Sequence, residues 1–198
     1  GLRDWLVAER VALVVDASHP FALQVSRQAR EAAAHVGCRY LRLERPAWRP
    51  GSGDRWYRVA DLPVAIETLR QLGAKRVFAA LGARAVPQLA GADMRFIVRG
   101  IEPPAELPDS VVCTSGRGPF TLATERRLLQ QHGIDAVLCR NSGGAGAAAK
   151  LAAARELGLP VVLIERPAGE CDPAVTDVEQ ALAEVERLLG ETIGEAET

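Results

Sequence analysis

VALVVDASHPFALQVSRQAREAAAHVGCRYLRLERP, from Val11 to Pro46, sets two short apolar runs on either side of a segment with helical spacing. Val11 to Val15 reads as a buried strand, Phe21 to His35 as a helix stopped by Gly37, and Arg39 to Leu43 as the next strand. Strand, crossover helix and strand make a βαβ unit, and the pattern continues down the chain. A loop from Pro46 to Trp56 carries two tryptophans. A strand at Tyr57 to Val59, a helix from Pro63 to Leu72 opened by Asp61 and closed by Gly73, and a strand at Arg76 to Ala80 follow it. A short helix over Ala83 to Leu89 and a strand over Arg95 to Val98 complete the first half.

The segment IEPPAELPDS, residues 101–110, holds three prolines and three acids and reads as a connection. Beyond it the alternation restarts. Strands are expected at Val111 to Thr114, Ala136 to Cys139 and Val161 to Ile164. Helices are expected at Pro119 to His132, Ala145 to Leu157 and Asp177 to Leu189. The expectation is an α/β fold of two Rossmann-like halves, each a parallel sheet flanked by helices. Residues 1–100 form one half, 111–198 the other, and 101–110 join them. The final helix has apolar residues at helical spacing and reads as a packing element without chemistry.

Composition narrows the function classes. The chain has 198 residues, 48% hydrophobic and 25% charged, with a net charge of −1. That length permits a real core, and that balance implies neither a nucleic-acid nor a membrane partner. No apolar run reaches the roughly 20 residues a membrane span needs, and the opening GLRDWLVAER lacks a signal-peptide layout, so a cytoplasmic protein, expected as a monomer, is the reading. Cys38, Cys113, Cys139 and Cys171 are far apart and show no C-x-x-C, and three scattered histidines make no zinc cluster. Reduced thiols and no metal site are expected.

In parallel sheets ligands bind beyond the carboxyl ends of strands, where helix N-termini offer unpaired N–H groups. Three loops at that edge carry unusual chemistry. Asp16 to Ala22, DASHPFA, puts an Asp at a strand end, an exposed His19 at a turn and Pro20 near the helix start; a plainly capped helix is the simpler reading. Thr114 to Phe120, TSGRGPF, flanks Arg117 with Gly116 and Gly118 and has Pro119 opening a helix, an arrangement suited to a phosphate or carboxylate or to an ordinary turn. Arg140 to Gly146, RNSGGAG, followed by Lys150, lets a backbone approach a ligand closely or simply packs a strand against a helix.

These phrases in this order resemble the precorrin-6A reductase family of cobalamin biosynthesis. The matching residues are DASHPFA at Asp16 to Ala22, LRLERPAW at Leu41 to Trp48, GPF at Gly118 to Phe120, NSGG at Asn141 to Gly144, Lys150, and PVVLIERP at Pro160 to Pro167. The resemblance spans Val11 to Pro167. It implies an oxidoreductase that uses NADPH, or NADH in some members, to reduce one carbon–carbon double bond of the precorrin-6A macrocycle to precorrin-6B, with cofactor and tetrapyrrole between two Rossmann-type halves. The family pattern opens with a strand and a Gly-Gly-Thr type loop for the cofactor pyrophosphate. No such motif precedes Val11, so either the chain is a form shortened at its start or its cofactor site is incomplete. At Arg140 the family pattern has lysine, which keeps the charge and changes its geometry.

On this resemblance the loop Asp16, Ser18, His19, Pro20 and Phe21 lies beside the nicotinamide ribose. His19 is then the candidate general acid, with solvent water as the alternative. His35 and His132 fall at helix ends and read as dipole partners. The polycarboxylate substrate falls to Gly116, Arg117, Gly118, Pro119, Arg140, Asn141, Ser142, Gly143, Gly144 and Lys150. Arg42, Glu44 and Arg45 read as a surface salt-bridge group, and Trp48 and Trp56 as loop residues packed on the core or covering the cleft. The rival reading is a non-catalytic module that holds a nucleotide or tetrapyrrole.

Overall fold

Val161 to Ile164 are buried along their whole length, as are Ala136 to Cys139. Strands without a polar face must lie inside a sheet covered on both sides. In the computed structural model, which describes residues 1–100, 106–167 and 175–195, they do. The elements run α1 (Leu2–Ala8), β1 (Leu13–Asp16), α2 (Leu23–His35), β2 (Arg39–Arg42), β3 (Trp56–Val59), α3 (Leu62–Gln71), β4 (Arg76–Ala80), α4 (Val86–Leu89), β5 (Arg95–Gly100) and β6 (Val111–Ser115). Then come α5 (Leu122–Gln131), β7 (Ala136–Arg140), α6 (Ala149–Glu156), β8 (Val161–Ile164) and α7 (Val178–Glu195). A turn of 3₁₀ helix precedes α4 at Ala83–Ala85 and another precedes α6 at Ala145–Ala147.

The strands form a six-stranded parallel sheet in the order β3-β8-β7-β4-β5-β6 and a two-stranded parallel sheet of β1 and β2. The chain divides into two compact units, one of residues 47–167 and the other of residues 1–46 with 168–198. This corrects the expected boundary. Residues 101–110 do not join two halves, because β5 and β6 on either side of them pair directly, from Phe96 with Val111 to Gly100 with Ser115. Of that segment, 101–105 lie outside the described residues. The C-terminal part returns to the first unit instead: Val175 donates to the Arg42 carbonyl and accepts from Glu44 N–H, forming a parallel bridge beside β2. Strand pairing is non-local, and local periodicity does not encode it.

Helix boundaries follow caps. Asp61 accepts from Val64 N–H and opens α3 as expected. At α5 the expected start at Pro119 moves to Leu122, because the Thr121 hydroxyl accepts from Thr124 N–H in a reciprocal capping box. The larger unit's core gathers Phe78, Ile97, Leu129, Val137, Leu151 and Leu163, all nearly inaccessible, and Trp48 and Trp56 pack against it. Each such side chain stabilises the sheet by roughly 1.5 to 3 kcal/mol. Cys38, Cys113 and Cys139 are free thiols, as expected; Cys171 lies outside the described residues. Among the described residues no helix is long and apolar enough to cross a membrane.

Candidate active site

From β4 the chain moves outward to β5 and β6; from β7 it moves the opposite way to β8. The carboxyl ends of β4 and β7 therefore flank the topological switch point, where an open α/β sheet leaves a crevice. Two loops of the same backbone shape diverge there. Gly82 after β4 has φ 80° and ψ 163°, and Gly144 after β7 has φ 75° and ψ 162°; each begins a 3₁₀ turn. That region of φ/ψ space is essentially glycine-only, so both loops depend on their glycine.

A cleft of about 1010 Å³ opens between these loops, within the larger unit. Among the described residues five cationic side chains line it, Arg84, Arg99, Arg117, Arg140 and Lys150, against a single carboxylate, Glu125. Arg99 is held on several sides. Its guanidinium lies 3.8 Å from the Phe120 ring centroid and 4.8 Å from that of Phe78, and its Nη1 is 2.7 Å from Glu125 Oε1. Glu125 is 1% exposed and neither oxygen has a directional hydrogen bond, so the pair is Coulombic. Gly116 lets the Phe120 ring lie against the backbone: a Cβ there would meet the ring at 3.1 Å.

Lys150, at the start of α6, is 7% exposed. Its Nζ donates to the Ala147 carbonyl at 2.6 Å and lies 4.5 Å from the Trp48 ring centroid. Burial holds its ammonium below the ordinary lysine range, against the opposing pull of Cys139 and Glu125. The same burial pushes the Cys139 thiol up to about 11.

The loop after β7 is braced from behind. Asn141 is 1% exposed; its Oδ1 accepts from Trp48 N–H at 2.8 Å and its Nδ2 donates to the Trp48 carbonyl and to Glu165, each at 3.3 Å. Trp48 Nε1 donates to the Gly144 carbonyl at 2.8 Å, and Arg166 donates to the carbonyls of Asn141 and Ser142. Asn141 thus holds the loop and does not line the cleft. Trp48→Phe keeps the packing and removes one hydrogen bond, so it is expected to lower stability by about 1 kcal/mol. An unchanged urea midpoint would show that the indole N–H braces nothing.

Of the residues expected at the substrate, Gly116, Arg117, Arg140, Ser142 and Lys150 line the cleft. Gly118, Pro119, Gly143 and Gly144 belong to its loops without lining it, Pro119 following a cis peptide bond. Sequence reading missed Arg84, Arg99 and Glu125. The repeat of a strand, a glycine and a short turn after both β4 and β7 was the signal for Arg84. Arg99 and Glu125 look like ordinary strand-end and helix-surface charges until the sheet order is known.

The loop after β1 belongs to the smaller unit. Asp16 is 6% exposed and its oxygens are taken: Oδ1 by Ser18 N–H at 2.9 Å, and Oδ2 by the Tyr40 hydroxyl at 2.7 Å and Arg42 Nη1 at 2.6 Å. Burial alone would raise its pKa, but the hydrogen bonds from Tyr40, Ser18 and Ser26 prevail and the carboxyl sits well below the usual range. Arg42 is 3% exposed, and also donates to Ser18 and Ser26 and pairs with Glu44 at 3.2 Å. The expectation of a surface pair at Arg42 is corrected: the side chain is buried, because the equally buried Asp16 carboxylate supplies its counter-charge. Pro20 is buried, and His19 is exposed, its Nδ1 accepting from Phe21 N–H at 3.2 Å. In the neutral ring the proton is then on Nε2. The His19 and Phe21 rings are tilted at 5.8 Å. Among the described residues no group of His, Cys, Asp and Glu could hold a metal ion.

The sequence model of the family described as precorrin-6x reductase CbiJ/CobK matches residues 1–186. The chain belongs to this family. The precorrin-6A reductase of Rhodobacter capsulatus is 44% identical over 172 residues, covering 85% of this chain and 68% of that protein. The precorrin-6A reductase of Rhodococcus erythropolis is 41% identical over 193 residues, covering 95% and 77%. Among solved structures, CobK precorrin-6A reductase superposes with a TM-score of 0.89 at 39% identity, covering 94% of this chain and 75% of that one. The family therefore accounts for the fold of both units and for the order of the loops described above.

Proposed function

We infer that the chain reduces one carbon–carbon double bond of the precorrin-6A macrocycle with a nicotinamide cofactor, giving precorrin-6B in cobalamin biosynthesis. Family membership and relatives of this activity support the reaction. The observation that carries it to this site is the switch-point cleft, where among the described residues five cations face one carboxylate. A macrocycle bearing many carboxylates needs such a lining, and the volume is that of a large ligand cleft. Arg84, Arg99, Arg117 and Arg140 hold carboxylates, with Gly116 and Ser142 beside them. Gly118, Pro119, Asn141, Gly143 and Gly144 set the shape of the loops.

The cofactor falls to the loop Asp16 to Phe21 of the smaller unit. When bound, the reduced nicotinamide supplies a hydride; the chain's part is to hold that ring and fix its orientation. Asp16, Ser18 and the buried Pro20 set the loop, and Phe21 and His19 contact the ligand. NADPH is the preferred form on the family resemblance; the nicotinamide ribose is the same in NADH and NADPH, so this loop does not tell them apart. His19→Ala removes one cofactor hydrogen bond, so KM for NADPH is expected to rise about fivefold, with macrocycle affinity unchanged. An unaltered cofactor KM would remove this loop from the cofactor site.

The direct test is to mix the protein with precorrin-6A and NADPH. The expected result is loss of dihydronicotinamide absorbance in step with a macrocycle heavier by two hydrogens. Tight macrocycle binding without cofactor consumption would favour the non-catalytic module.

A further inference from the structure

We propose that Lys150 is the general acid of the reduction, handing its Nζ proton to the second carbon of the double bond. The proposal rests on the macrocycle occupying the switch-point cleft. Reduction of the bond adds a hydride to one carbon, supplied by the reduced nicotinamide, and a proton to its neighbour. The π electron pair forms the new C–H bond with that proton, the cofactor leaves oxidised, and the neutral lysine regains a proton from solvent.

Geometry selects Lys150 among the groups on the cleft wall. Four of its five cations are guanidiniums, which do not release a proton at working pH. The other titratable wall residue among those described, Glu125, is engaged by Arg99 at 2.7 Å. Lys150 carries three N–H donors. One is spent on the Ala147 carbonyl at 2.6 Å and one side of the ammonium lies on the Trp48 ring, so the head is fixed at a wall of the cleft with a donor remaining. Trp48 is itself locked to Asn141 and Gly144, so the group is pre-positioned. A plain carboxylate anchor has no need of an ammonium buried to 7% exposure beneath an indole.

The electrostatics agree. Cys139 faces Lys150 from β7, Glu125 from α5 and Arg99 from β5, while Arg84, Arg117 and Arg140 share the cleft. Burial lowers the lysine's affinity for its proton, which makes it a better acid near neutrality. The single-turnover rate at saturating ligands should hold steady at lower pH and fall as pH rises through a value below the ordinary lysine range. Cys139, pushed up to about 11, stays neutral through that window.

The test compares wild type with Lys150→Arg, which keeps the charge but holds its proton too tightly to give it up. The expected result is a macrocycle Kd within about threefold of wild type, a single-turnover rate lower by on the order of a hundredfold, and no alkaline fall. Wild type alone supplies a second readout. With ¹³C-labelled lysine, the NMR titration of the buried amine should match the kinetic pKa, which keeps the test valid if the variant folds poorly. Near-normal turnover in Lys150→Arg, or a kinetic pKa that differs from the amine's, overturns the acid role while leaving the cleft as the substrate site. Macrocycle affinity indifferent to Arg84 and Arg117 overturns both.

Discussion

Arg42→Ala is expected to destabilise the smaller unit by about 3 to 5 kcal/mol, the cost of leaving a buried carboxylate without its counter-charge. The side chain is 3% exposed and makes five hydrogen bonds to four groups: Asp16 at 2.6 Å, Glu44 through two nitrogens, and the hydroxyls of Ser18 and Ser26 at 3.1 and 2.5 Å. Its loss takes the counter-charge from Asp16, a carboxylate 6% exposed. Acid should shrink the effect. The folded-state pKa of Asp16 is depressed, so the network contributes fully above the unfolded value of about 3.9 and its contribution is lost as pH falls through the folded one. Urea unfolding at neutral pH and below pH 4 measures both claims. Pairing Arg42→Met with Asp16→Leu should recover much of the loss, because replacing both partners leaves neither unpaired. A neutral-pH midpoint unmoved by Arg42→Ala would mean that water reaches Asp16 and that the network is not buried.

The parts of this fold legible in the sequence are those encoded locally. The runs at Arg76 to Ala80 and Val161 to Ile164 coincide with β4 and β8, because strands buried on both faces carry no polar interruption. Asp61 and Gly73 marked α3 by cap chemistry. Pairing was illegible: β3 lies beside β8, with Trp56 opposite Val161, and no local pattern links them. That single fact displaced the unit boundary and returned Val175 to β2. The site divides in the same way. Gly116, Arg117, Arg140, Ser142 and Lys150 stood in glycine-rich strand-to-helix loops and were visible. Arg99 and Glu125 became neighbours only when β5 was set beside β6 and α5 over them, and Arg42 was misplaced because an arginine in a short strand is usually at the surface.

Removing two charges from the cleft rim should weaken macrocycle binding more than any other change that leaves the core intact. Arg84 and Arg117 both line the cleft and both are exposed, so neither holds the fold together. They belong to the group of five cations facing one carboxylate, and that carboxylate is already engaged by Arg99. Each charged hydrogen bond to a substrate carboxylate contributes about 1.5 to 3 kcal/mol, and solvent exposure puts both residues at the lower end. Arg84→Ala with Arg117→Ala together should therefore cost about 3 kcal/mol, a rise in Kd on the order of a hundredfold. Rim charges act partly through long-range attraction, so added salt should weaken the wild type more than the double variant. Titrating precorrin-6A and NADPH separately tells which ligand the rim holds. The expected outcome is macrocycle affinity lost and cofactor affinity kept. If NADPH weakens and NADH does not, the rim reads the 2′-phosphate, and the cleft of the larger unit belongs to the cofactor; the loop at Asp16 to Phe21 would then have to be reconsidered as its nicotinamide contact.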